Sequence, residues 1–150
     1  MTIEWDKKYE LHISVIDAQH KQIISCLNEL ETAMAKGVKA KDISEILSRT
    51  QHYAVRHFGI EEKYMKESKY PGLDKQLEAH QYFTERFTQI LQEFATNGLT
   101  SAIVNSLRQE LSEWIKSHVI GLDLAFGAYY QNFQTESCLP CWGEIHSDKK

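Results

Sequence analysis

Apolar residues recur at spacings of three and four through most of this chain, the mark of helices with one buried face. The first such stretch carries Ile23, Ile24, Leu27, Leu30 and Met34, with His20 one turn earlier; Asp17 is a good N-cap and Gly37 a natural stop. The second starts near Asp42 and runs through Ile43, Ile46, Leu47, Thr50, Tyr53, Ala54 and His57 to Glu61, Tyr64 and Met65, ending in the turn Tyr70-Pro71-Gly72. The third runs from Leu73 through Leu77, His80, Phe83, Phe87, Ile90, Leu91 and Phe94 and closes at Asn97-Gly98. Thr100 or Ser101 caps the fourth, which shows Ile103, Leu107, Leu111, Trp114, Ile115 and His118. A shorter apolar piece follows from Leu122 to about Phe133. These elements predict an all-α fold, an up-down-up-down four-helix bundle with an N-terminal arm (1–16) and a short C-terminal helix or tail. Residues 1–133 form the expected domain and 134–150 an irregular tail or linker.

Composition narrows the class. Two prolines and seven glycines in 150 residues favour long helices over many strands. The formal net charge of -4 is spread over mixed charges with no basic block, which argues against nucleic acid as a partner. No apolar run approaches the ~18 residues a membrane span needs. Met1 to Asp6 lacks the features of a secretory signal, so a cytoplasmic location is expected. Three cysteines are no disulfide framework. Cys26 reads as a small core residue, and Cys138-Leu139-Pro140-Cys141 as free thiols: a redox pair lacks its βαβ context, and a zinc site lacks ligands beyond His146.

The chemistry lies in histidines and carboxylates that continue the apolar stripes. His20, His57, Glu61, His80 and His118 follow the buried face, and His57 and Glu61, four apart, share it. Along antiparallel helices His20 falls early, His57 late, His80 early and His118 late, so all gather at one end of the bundle. Any one buried histidine is ordinarily a satisfied core residue; the joint pattern points to a metal. Four imidazoles with two carboxylates suit a pair of transition-metal ions. Asp123 lies five residues after His118, about 140° round a regular helix, so a break near Gly121 or one wide turn is needed to bring it inward. His12, His52 and His146 read as surface or structural residues, and Glu62 and Glu78 as solvated charges.

Trp5 with Val15-Ile16-Asp17-Ala18-Gln19-His20-Lys21, His57-Phe58-Gly59-Ile60-Glu61-Glu62 and His118-Val119-Ile120-Gly121-Leu122-Asp123 together resemble the single-domain bacterial hemerythrins, over about residues 5–130. The resemblance implies a four-helix bundle whose two non-haem iron ions bind O₂ reversibly as hydroperoxide. It implies that Glu61 and Asp123, with an oxo or hydroxo group, bridge the ions. His20 and His57 would hold the iron that takes up O₂, and His80 and His118 the other. The family's fifth histidine falls at Gln76, one turn before His80. A Gln76 amide either ligates weakly or hydrogen-bonds a water, leaving an exchangeable position and altered redox behaviour.

The expected function is thus O₂ binding, as an oxygen or redox sensor domain or as a carrier, without catalytic residues. NO or other small anions are further candidate ligands of the open iron. A C-terminal signalling partner, such as a diguanylate cyclase, would belong to a longer chain. The competing readings are a di-iron oxidase, peroxidase or nitric-oxide-reducing enzyme, and a metal-free interaction module. Zinc or manganese in place of iron stays open.

Overall fold

A computed structural model of the protein describes residues 2–137. A 3₁₀ turn at Lys7–Tyr9 precedes α1 (Ser14–Lys36), α2 (Ala40–Glu67), α3 (Leu73–Asn97) and α4 (Ser101–Glu113). A π-helix over Trp114–Asp123 then leads into α5 (Leu124–Ser137). The caps at both of its junctions keep right-handed helical angles, so α4, the π segment and α5 form one rod. Consecutive helices pack on one another, and the described residues hold no strand, as the apolar spacing predicts for a four-helix bundle. The Cys138–Cys141 pair, His146 and the rest of the expected tail lie outside the described residues.

Several boundaries differ from the sequence expectation. α1 begins at Ser14, and Asp17 sits in its first turn instead of capping it. The Asp17 carboxylate accepts the backbone N–H of Leu11 at 2.8 Å, tying the arm to the helix start. α2 starts two residues before Asp42. α5 runs through Ser137, past the expected boundary at 133. Thr100 caps α4, its hydroxyl accepting the N–H of Ile103 at 3.2 Å.

Among the described residues, apolar burial falls into two clusters. The larger includes Ile23, Leu27, Phe58, Phe83, Phe87, Leu107 and Trp114. The smaller, at the other end, is built from Leu11, Ile13, Ile16, Met65 and Phe126. Between residues of the two clusters fall His20 (Ile16 and Ile23), Glu61 (Phe58 and Met65) and Asp123 (Val119 and Phe126). A polar layer is thereby sandwiched between two hydrocarbon plugs. The arm closes the smaller plug at Gly127, where a side-chain Cβ would stand 3.0 Å from the Leu11 Cα. Glycine is required there by close approach of two backbones.

Candidate metal centre

His20, His57, Glu61, Gln76, His80, His118 and Asp123 are all buried, and Glu61 and Asp123 are fully so. They come from α1, α2, α3 and the π segment, and they converge as two adjoining groups. His20, His57, Glu61 and Asp123 each offer a ligand atom within 4.8 Å of the others; Glu61, His80 and His118 form the second group. Asp123 is brought in by the π-helix, whose i to i+5 bonding places residues five apart on one face. The wide turn begins at Trp114, seven residues before Gly121, and an added Cβ at Gly121 would meet only the Lys116 carbonyl at an ordinary 3.9 Å. Gly121 is therefore not the cause of the irregularity.

Each carboxylate divides its oxygens between the groups. Glu61 Oε1 is 3.1 Å from His57 Nε2 and 3.6 Å from His20 Nε2, while Glu61 Oε2 is 3.1 Å from His80 Nε2 and 3.7 Å from His118 Nε2. Asp123 Oδ2 is 3.1 Å from His20 Nε2, and Asp123 Oδ1 is 3.2 Å from His118 Nε2. Two ligands about 2.1 Å from one ion and at right angles to each other stand about 3 Å apart, so this spacing fits ligation.

The stronger test is hydrogen bonding. Among the described residues, His20 Nε2, His57 Nε2, Glu61 Oε1 and Asp123 Oδ2 are buried and make no hydrogen bond, although they stand close together. Their separations are right and their directions are wrong for bonding to one another. Four orphaned polar atoms in one spot would be costly, and a divalent cation satisfies all of them. The residues present therefore fit a metal.

Neighbouring groups aim the imidazoles. Gln19 Oε1 lies 3.1 Å from His57 Nδ1, and Glu62 Oε1 lies 2.9 Å from His80 Nδ1. Each acceptor places the ring proton on Nδ1 and leaves Nε2 free to ligate. The expectation that Glu62 points into solvent is thus wrong: one residue's rotation from Glu61 turns it toward α3, where His80 meets it. Glu62→Ala is expected to weaken metal retention at the His80 position by roughly 10–100-fold, read by chelator competition; unchanged retention counts against the orienting role. Phe58 stacks on His80 at 4.0 Å, and Trp114 on His118 at 6.0 Å. His52 is exposed, as is His12, which has a left-handed backbone (φ 61).

Burial works against charging His20, but the carboxylates of Asp123 and Glu61 overcome it and lift its pKa to about 9. The same contest takes His118 to about 10. Burial pushes the Glu61 carboxyl up, yet the surrounding imidazoles bring it well below its ordinary value. Asp123, opposed by burial and by the Glu61 charge, is also held down by His118 and His20. In metal-stripped protein, then, the raised histidines stabilise the fold fully below pH 6.5 and lose that contribution as pH rises through about 9 and 10. The lowered carboxyls contribute above pH 4.5 and 3.8 and lose their share on further acidification. The urea midpoint of stripped protein is expected to fall on both sides of that window; a flat profile from pH 4 to 10 would refute the pairing.

The fold and this layer define a class: helical-bundle proteins with a buried histidine–carboxylate metal centre. The family model described as the hemerythrin HHE cation binding domain matches residues 11–121, ending just before Asp123. The chain is 31% identical over 122 residues to a bacteriohemerythrin of Stenotrophomonas maltophilia, covering 81% of this chain and 77% of that one. It is 27% identical over 126 residues to a bacteriohemerythrin of Aquifex aeolicus, covering 82% and 93%. With a myohemerythrin of Sipunculus nudus the identity is 22% over 122 residues, covering 81% and 88%. This chain belongs to the hemerythrin family.

Proposed function

We propose that the protein binds O₂ at a pair of non-haem iron ions held between Glu61 and Asp123, acting as an oxygen or redox sensor or as a carrier. The single observation that carries the two-metal part is the division of both carboxylates, one oxygen to each histidine group. Family membership supports iron and O₂, and the relatives' names, bacteriohemerythrin and myohemerythrin, agree. Bound iron would supply reversible electron transfer to O₂. The chain's own residues do the rest: six side chains ligate, Gln19 and Glu62 orient, and the rings of Phe58, Phe83 and Trp114 keep bulk water from the centre.

Gln76 tilts the reading toward sensing. Its Nε2 donates to Asp123 Oδ1 at 3.0 Å, so this amide holds a ligand of the centre and does not take the place of an imidazole nitrogen. A carrier must resist oxidation, whereas a sensor can use it. The protein is in this reading a binder and not an enzyme, placed in the cytoplasm, with a C-terminal signalling domain as a possible neighbour in a longer chain. No helix among the described residues is long and apolar enough to cross a membrane. NO and small anions are the other ligands this site suits. The second reading, a peroxidase or nitric-oxide-reducing enzyme, draws on the surface groove that reaches His118.

The deciding measurement is the absorption spectrum of reduced protein before and after air, with iron counted per chain. Two irons and a reversible visible band are expected. Absence of iron sinks the proposal, and sustained turnover with peroxide or NO favours the enzyme. Gln76→His is expected to slow oxidation by air about tenfold, equivalent to ~1.4 kcal/mol on the barrier. No change in either rate or spectrum would remove Gln76 from the explanation.

A further inference from the structure

The two histidine groups share their carboxylates but are not equivalent. In the first, all four ligand atoms lack hydrogen bonds. In the second, His80 Nε2 lies 3.2 Å from His118 Nε2, whose proton it can accept while its own ring proton stays on Nδ1 toward Glu62. The first group therefore gains more from a cation, because a cation relieves four orphaned atoms there and displaces an existing bond in the second.

Access differs as well. His20 and His57 are fully buried. His118 lines a groove of about 390 Å³ between α3 and the π segment, beside Lys75, Glu78, Trp114 and Leu122. His80 lines another, of about 660 Å³, next to Glu62. The third difference is Gln76. One Nε2–H goes to Asp123, its Oε1 is a buried acceptor with no partner among the described residues, and Gln76 as a whole is 1% exposed.

Resting on the two-metal reading, we propose that the two positions hold metal unequally: the His20–His57 position fills first and tightly, and the His80–His118 position is exchangeable, completed by a small ligand that donates a hydrogen bond to Gln76 Oε1. Water is the simplest member of that class. Gln76 keeps Oε1 and a second Nε2–H unspent, and Oε1 is the buried atom without a partner among the described residues, so a ligand that donates is the one that satisfies it. An acceptor-only anion can take the second Nε2–H but leaves Oε1 unpaired. The grooves at His80 and His118 give the second ion and its ligand a short path to solvent, which the first lacks.

The test titrates the metal-stripped full-length chain with cobalt(II) alone, followed by visible absorption and by competition with a chelator. Two steps are expected, with dissociation constants apart on the order of tenfold or more, the second equivalent leaving first. His118→Ala should remove the weak step and keep the tight one. Gln76→His, which adds a nitrogen donor, should tighten the weak step on the order of tenfold. Two indistinguishable equivalents in the unsubstituted protein, or loss of the tight step in His118→Ala, would overturn the inference while leaving two metals standing. Saturation below two equivalents would overturn the two-metal reading beneath it. Should Gln76→His fail to fold by circular dichroism, the unsubstituted protein and His118→Ala still decide.

Discussion

Glu61→Gln is expected to strip metal from both positions at once. Glutamine keeps the side chain's shape but replaces one carboxylate oxygen by NH₂, which has no lone pair to offer. Glu61 Oε1 serves His20 and His57 while Oε2 serves His80 and His118, so either orientation of the amide spoils one group and removes the shared charge from both. Retention should fall by more than the roughly 10–100-fold that follows loss of an orienting partner. The metal-stripped protein should suffer too. Its Glu61 and Asp123 charges balance raised-pKa His20 and His118 in a fully buried layer, and breaking such a set by removing one member costs about 3–5 kcal/mol. Metal analysis and urea unfolding of the same preparation check both statements. Two equivalents of metal retained with ordinary affinity would mean that Glu61 is not shared.

The second large effect concerns the wall of the centre. Trp114 is 5% exposed and opens the π-helix. Its ring lies parallel to His118 and edge-on to His20 and His57, both at 6.2 Å, with Phe83 at 5.8 Å on the larger apolar cluster. One side chain thus touches three of the four ligating imidazoles. Trp114→Ala should cost about 3–5 kcal/mol and lower the melting temperature by roughly 10 °C for a domain of this size. Water admitted beside His118 should also speed metal loss. Trp114→Phe should cost about 1 kcal/mol, as volume-near swaps do, because the indole Nε1 has no hydrogen-bond partner among the described residues to lose. Equal melting temperatures for the two variants would show that packing at Trp114 does not support the layer.

What could be read from the chain was whatever repeats locally. Helix spacing of apolar residues placed α1 to α4, and the same spacing put His20, His57, Glu61, His80 and His118 on buried faces, where the structure has them. The five-residue gap from His118 to Asp123 called for a helix break near Gly121 or one wide turn, and the structure takes the wide turn. The residues that escaped were those whose partner lies on another element. Glu62 looks like a surface charge beside Glu61 until α3 supplies His80. Gln19 was just a helix residue before His20 until α2 brought His57 against it. Asp17 has the chemistry of a cap, but its partner, the Leu11 N–H, comes from the arm and the helix starts at Ser14. Gln76 offered two fates, weak ligand or partner of a water, and its donor in fact turned to Asp123, 47 residues away.

The division has one cause. Periodicity records which side of a helix leaves water, since burial of a face is set residue by residue through hydrophobic transfer, and that much is written in local order. Which buried atoms meet, and whether they meet as hydrogen-bond partners or as ligands of a common ion, depends on the rotation and offset of four helices against one another. Differences of about 1 Å separate those outcomes, and the packing of Phe58, Phe83 and Trp114 across helices sets them. The inequality of the two histidine groups belongs to that second kind of information: it arises from angles between side chains on different helices, which no spacing along a single strand of sequence records.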